Sequence, residues 1–285
     1  MDTAPHWQTL VQPEDLAAAL GRDDLVVVDA RASLADPGSC RTAWELEHIP
    51  GARFADLDED LTKHGLGGGR HPWPDADGFT TRLGRWGISP RHQVVAYDNG
   101  DGGLAAARFW FLMRALGHVR VAVLDGGWQR WKALGLPVSA DAPPNAAADY
   151  PGRFDAQRLL DAGQVQAHLD AGGMLVDARA PERFRGEVEP MDTAAGHVPG
   201  AVNRPYARNL QDGRFKSPDQ LRAEFGELLG DRDPDEVVVM CGSAVTACHH
   251  LLAMEHAGLP GARLFTGSWS GWIEDPARPV ATGEA

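Results

Sequence analysis

Disulfide chemistry has little material in this chain: three cysteines among 285 residues, an odd number without the spacing of a secreted scaffold. That argues against a disulfide framework and for a reducing compartment. Positive charge is also in deficit, with 27 Lys and Arg against 40 Asp and Glu, a net charge of −13 and an isoelectric point near 5.2. No basic run offsets it, so nucleic acid and anionic membrane surfaces are disfavoured partners. No apolar stretch approaches the length of a membrane span, and Met1-Asp-Thr-Ala-Pro-His-Trp7 lacks a basic-then-apolar signal pattern. The expectation is a soluble, cytoplasmic protein. Its 43% hydrophobic content and its length suffice for two domains of ordinary size.

What is present is a duplication. Leu25-Val-Val-Val-Asp-Ala-Arg31 returns as Met174-Leu-Val-Asp-Ala-Arg179, and His48-Ile-Pro-Gly-Ala52 as His197-Val-Pro-Gly-Ala201. Val94-Val-Ala-Tyr-Asp98 then parallels Val237-Val-Val-Met-Cys241, Gly127-Trp-Gln-Arg-Trp131 parallels Ser268-Trp-Ser-Gly-Trp272, and Leu136-Pro-Val-Ser139 parallels Arg278-Pro-Val-Ala281. Five matched segments in one order predict two copies of one domain. β-Branched runs alternate with amphipathic stretches in each copy, as in a parallel α/β sheet covered on both faces. Strands are expected at 25–29, 94–97 and 121–124, then 175–177, 237–240 and 263–265; helices at 105–116 and 128–134, then 158–170, 218–229 and 246–257. Asp141-Ala-Pro-Pro-Asn-Ala-Ala-Ala-Asp-Tyr-Pro151 reads as linker, giving a first domain at 1–140, a linker at 141–156 and a second domain at 157–285.

Cys241 is the chemically informative residue. It follows a buried strand and precedes a helix, so the intervening loop Gly242-Ser-Ala-Val-Thr246 turns backbone N–H groups inward at a helix N-terminus. Such amides, with the helix dipole, favour an anion, and a thiol placed there is expected to ionise readily. A free cysteine at a strand end is usually a small core residue, but this loop supplies amides and hydroxyls rather than bulk. Cys40 and Cys248 lack that setting and read as core. The first copy carries Asp98 where the second has Cys241, so only the second can perform thiol chemistry.

With these motifs, and with Glu182-Arg-Phe-Arg-Gly186, the chain resembles the tandem-rhodanese sulfurtransferases over essentially its full length. The resemblance implies two rhodanese-like α/β domains, each a parallel sheet flanked by helices, with the second catalytic. It implies sulfane-sulfur transfer through a persulfide on Cys241, cradled by the amides of Gly242, Ser243, Ala244, Val245 and Thr246. The Cys241-Gly-Ser243 start resembles the 3-mercaptopyruvate enzymes rather than the thiosulfate enzymes, which often carry basic residues there. It further implies a proton relay of Ser243, His71 and Asp58 for the departing enolate, and donor binding by Arg183, with Arg185 a secondary candidate. The acceptor would be thioredoxin, a small thiol or cyanide; no cofactor or metal is called for. Two departures bear on the donor: Ala244 replaces the family's loop glycine, and Glu187-Val-Glu-Pro-Met-Asp192 lacks a second arginine usual in the mercaptopyruvate enzymes.

Other readings fare worse. By sequence alone His71 is a loop histidine and Asp58 belongs to an acidic face with Asp56, Glu59 and Asp60. His48 and His197, and Asp29 and Asp177, occur in both copies and so read as structural. A cysteine phosphatase needs an arginine six residues after its cysteine, and Ala247 stands there. A non-catalytic binding module is disfavoured by the intact Cys241, and zinc by the adjacency of Cys248 and His249, which with Cys241 and His256 would form the site. Thiosulfate:cyanide sulfur transfer is the runner-up activity.

Overall fold

The computed structural model describes residues 6–65, 67–143 and 147–284. Residues separate by their contacts into two compact units, Met1–Leu61 with Pro74–Phe154, and Thr62–Trp73 with Asp155–Ala285. A short excursion of the first half of the chain thus packs with the second half.

Each unit is built on a five-stranded, wholly parallel sheet, and the two sheets share one strand order. In the first, the order across the sheet is Leu10–Val11, Val121–Leu124, Gln93–Tyr97, Leu25–Asp29, Arg53–Phe54. In the second it is Leu159–Leu160, Arg263–Phe265, Val237–Met240, Met174–Asp177, Ala201–Asn203. The three β-branched strands expected in each copy are central. The two edge strands per sheet are only two or three residues long, too short for a periodicity to register. Helices cover the sheets as expected at Ala106–Ala115, Gly127–Ala133, Pro218–Leu229 and Ala247–His256. The helix expected over 158–170 is shorter, Ala162–Asp170. Asp161 and Gln164 form a reciprocal capping box that starts it, and Leu159–Leu160 is spent as an edge strand.

The repeated motifs prove to be one scaffold built twice. Asp29 and Asp177 end their strands with a buried carboxylate that pairs with Arg31 or Arg179, both at 2.7 Å. Each guanidinium lies 4.7 Å from a tryptophan ring, Trp128 or Trp269. His48 and His197 bridge antiparallel to Ser139 and Ala281, tying each unit's final segment back to its core. Trp131 and Trp272 donate their indole N–H to the carbonyls of Pro137 and Pro279 in those same segments, at 2.8 and 2.9 Å. The buried carboxylates and indole N–H groups are partnered in both places, as burial demands.

Candidate active site

In the second unit the strands Val237–Met240 and Met174–Asp177 are central neighbours, and their onward connections run to opposite sides of the sheet. Ligands of open α/β sheets sit at the carboxyl ends of such a strand pair. Cys241 lies there, 2% exposed, and Ala178 beside it donates its N–H to the Met240 carbonyl at 2.8 Å.

The loop after Cys241 is held by Ser268, whose hydroxyl oxygen accepts the N–H of Cys241 at 3.1 Å and of Ala244 at 2.9 Å while donating to the Phe265 carbonyl. Cys241 and Gly242 return carbonyl bonds to the Trp269 and Ser270 amides, at 3.0 and 2.9 Å. Ser268 and Ala244 both adopt left-handed backbone, φ +51° and +58°. Two such residues at one loop are a concentration of strain typical of functional sites. The Ala244 amide, expected to face an anion, is thus engaged by Ser268. Cys248 donates its thiol to the Ala244 carbonyl and is fully buried, as the core reading required.

The segment Gly67-Gly-Gly-Arg-His71 lies against this loop. Gly69 has φ +92°, and a Cβ on it would come within 2.7 Å of the Gly267 carbonyl, so only glycine allows so close an approach. The approach is fastened by the Arg70 N–H on Ser270 Oγ at 3.0 Å and by the Gly68 and Gly69 amides on the Glu274 carboxylate. It brings His71 Nδ1 to 2.8 Å from Ser243 Oγ, both side chains buried. Asp58 belongs to the first unit, where it is half-buried with its N–H on Asp56 Oδ1 at 2.9 Å.

Arg183 is carried on the one-turn helix Pro181–Phe184, anchored by Phe184, whose ring stacks on His197 at 3.8 Å. Its guanidinium forks onto Glu189 at 2.7 Å and reaches Asp192 at 3.2 Å. A Cβ on Gly242 would meet the Arg183 guanidinium at 3.5 Å and that of Arg70 at 3.0 Å. Arg70, absent from the sequence-based candidates, therefore stands with Arg183 over the residue next to the nucleophile. It too pairs with Asp192, and its Nε has no hydrogen-bond partner among the described residues. Its only sequence signal was being the neighbour of His71. Val245 is buried and Thr246 half-buried ahead of the helix, while Arg185 is tied to the exposed Glu187 at 2.8 Å.

A buried cysteine at a strand–helix loop, flanked by a serine–histidine pair and two arginines, on a duplicated parallel sheet, defines the class. The chain belongs to the rhodanese-like domain family, which matches residues 12–134 and 161–275. It is 48% identical over 280 residues to a Pseudomonas aeruginosa protein named “Probable 3-mercaptopyruvate sulfurtransferase”, covering 96% of this chain and 98% of that one. It is 33% identical over 270 residues to the thiosulfate sulfurtransferase of Rattus norvegicus, covering 89% and 88%. The solved 3-mercaptopyruvate sulfurtransferase from Leishmania major superposes with a TM-score of 0.82 at 28% identity, over 94% of this chain and 76% of that one.

Proposed function

We propose that this enzyme, a sulfurtransferase, moves the sulfur of 3-mercaptopyruvate to a thiol or cyanide acceptor through a persulfide on Cys241. The Cys241 thiolate attacks the donor sulfur; the S–S bond forms as the donor C–S bond breaks, and its electron pair leaves as pyruvate enolate. That enolate needs a proton. The Ser243–His71 hydrogen bond of 2.8 Å, two residues from the nucleophile, is the observation that carries the reading, because sulfite leaving thiosulfate needs no such relay. Asp58 completes the relay by fixing the imidazole's orientation, an assignment supported by the family resemblance. The persulfide anion is held by the amides of Gly242, Ser243, Val245 and Thr246, preorganised as in an oxyanion hole. Arg183 and Arg70 hold the donor carboxylate. The acceptor, thioredoxin or a small thiol, then attacks the outer sulfur and restores the thiolate. No cofactor or metal takes part in these steps. Three free, buried cysteines suit a reducing cytoplasm. No helix among the described residues is long and apolar enough to cross a membrane.

Transfer from thiosulfate is the competing reading, favoured by the paired guanidinium groups at Gly242. Intact mass after donor exposure tests the shared chemistry: one sulfur is added, is removed by cyanide, and is missing in Cys241→Ser. Equal labelling of Cys40 or Cys248 refutes the assignment. For the donor, His71→Ala and Asp58→Asn should lower kcat with mercaptopyruvate by about 10²–10⁴-fold, the usual worth of a positioned acid–base group, and far less with thiosulfate. Equal losses would make His71 a binding or structural residue.

A further inference from the structure

Resting on that sulfurtransferase reading, we infer that Asp192 determines which donor charge the site accepts: its buried carboxylate neutralises the two arginines at Gly242 and so favours a singly charged carboxylate donor over a dianion. The Asp192 side chain is 3% exposed, with one oxygen on Arg70 Nη1 and the other 3.2 Å from Arg183 Nη2. It is set by its own segment. The amides of Met191 and Asp192 both donate to Glu189 Oε1, at 3.0 and 3.2 Å, folding Glu189-Pro-Met-Asp192 into a turn that aims both carboxylates at the arginines.

The charges close to zero. Arg70 and Arg183 contribute two positive charges, and Asp192 and Glu189 two negative ones. Arg179, 3.6 Å from Glu189, is already balanced by Asp177. Burial raises the Glu189 carboxyl, but the bonds from Arg183 and the Met191 amide outweigh it and hold the group below the ordinary range, so the charge is present at neutral pH. A neutral cluster still offers one carboxylate the directed N–H donors of the two guanidinium groups that stand over Gly242. It offers no net field for a second negative charge. Removing the Asp192 charge leaves the cluster at +1. Because Coulomb energy is proportional to donor charge, a dianion gains twice as much in log affinity as a monoanion.

Asp192→Asn, which keeps the shape, is the test, with kcat/KM measured for thiosulfate and mercaptopyruvate on the full chain. The expected result is a rise of about tenfold in the thiosulfate-to-mercaptopyruvate ratio, with KM falling about a hundredfold for thiosulfate and about tenfold for mercaptopyruvate. Asp192→Glu, which keeps the charge, and Glu187→Gln, an exposed charge change, should leave the ratio within about twofold. An unchanged ratio in Asp192→Asn, or equal losses with both donors, overturns the inference. Should Asp192→Asn not fold, Arg70→Gln gives the opposite sign, costing thiosulfate more than mercaptopyruvate; equal costs overturn it. Calorimetric titration with sulfate and pyruvate, an unreactive dianion and a monoanion, reads the same preference without turnover. Sulfate binding should strengthen in Asp192→Asn and pyruvate binding change less. If the wild type used neither donor, the sulfurtransferase reading would fail while these titrations still decided the role of Asp192.

Discussion

A single hydroxyl organises the nucleophile loop. Ser268 stands where the first repeat has Gly127, and both are left-handed, at φ +51° and +54°. In the second unit the backbone strain buys an oxygen that takes two buried N–H groups at once. Ser268→Ala leaves the Cys241 and Ala244 amides without their partner, at a cost of about 1–3 kcal/mol. Thermal unfolding should show that loss, and kcat should fall with little change in KM, because Ser268 positions the loop and touches no donor. A variant of unchanged stability would show that the loop is held by its helix alone. Ala244 is the second strained residue, fully buried at φ +58°. Alanine tolerates this conformation at about 1–2 kcal/mol, whereas a β-branched side chain does so far less readily. Ala244→Gly is therefore expected near the wild-type melting temperature, and Ala244→Val well below it.

Among elements, the stretch read as a linker behaves as part of the first unit. The Ala148 N–H donates to the Gly84 carbonyl at 2.9 Å, Phe154 stacks on Phe79 at 6.2 Å, and Tyr150 OH lies 2.8 Å from His118 Nδ1. Gly84, in the last turn of the helix Ala76–Arg85, approaches this stretch so closely that a Cβ would stand 2.5 Å from the Ala148 carbonyl oxygen. Gly84→Ala should therefore detach the segment, seen as faster amide exchange over residues 147–154. His118 gives the same contact a pH dependence. Its Nε2–H donates to the His92 carbonyl and its Nδ1 accepts from Tyr150, which fixes the neutral tautomer. Burial lowers its proton affinity from 6.5 to about 4. Between those values the unfolded chain binds a proton that the native state does not, so stability falls as pH drops from about 6.5 towards 4. Above 6.5 this residue has no effect. The full difference is about 3 kcal/mol. Buried His250, shifted the same way, adds to the acid limb. Denaturant titrations of His118→Gln, which can keep both hydrogen bonds, should show a shallower loss of stability over this range.

Taken as a whole molecule, the chain holds two copies of one scaffold with different loops in the same place. In the first unit Asp98 fills its own cradle. Its carboxylate accepts the N–H groups of Gly100 and Gly102 at 3.1 and 3.0 Å, and of Leu104 and Ala106 at 3.3 and 3.5 Å. A carboxyl group, its proton affinity raised by burial against these N–H bonds, thus sits where the second unit has its thiol. The loop to the next helix spans residues 99–105, two longer than 242–246, and Gly127 brings no hydroxyl. Asp98→Cys in a Cys241→Ser background is accordingly expected to gain no persulfide by intact mass. Sulfur added at position 98 would mean that the strand-end position suffices by itself.

The central strands, the main covering helices, the duplication and the strand–helix setting of Cys241 were legible in the sequence, because each rests on local periodicity or on a motif printed twice. His48 and His197 read as structural for the same reason, and each fastens its own unit's last segment. The edge strands were hidden, since two residues carry no period and pairing with a neighbour is what makes them strands. Tertiary structure alone brought Gly67–His71 to the second unit, placed Arg70 beside Arg183, and gave Ser268 its two amides. Those contacts join residues from 24 to 206 positions apart. At such separations composition and spacing say nothing, and proximity is decided by the close approach that Gly69 permits and by the matching of buried charge and hydrogen-bond partners.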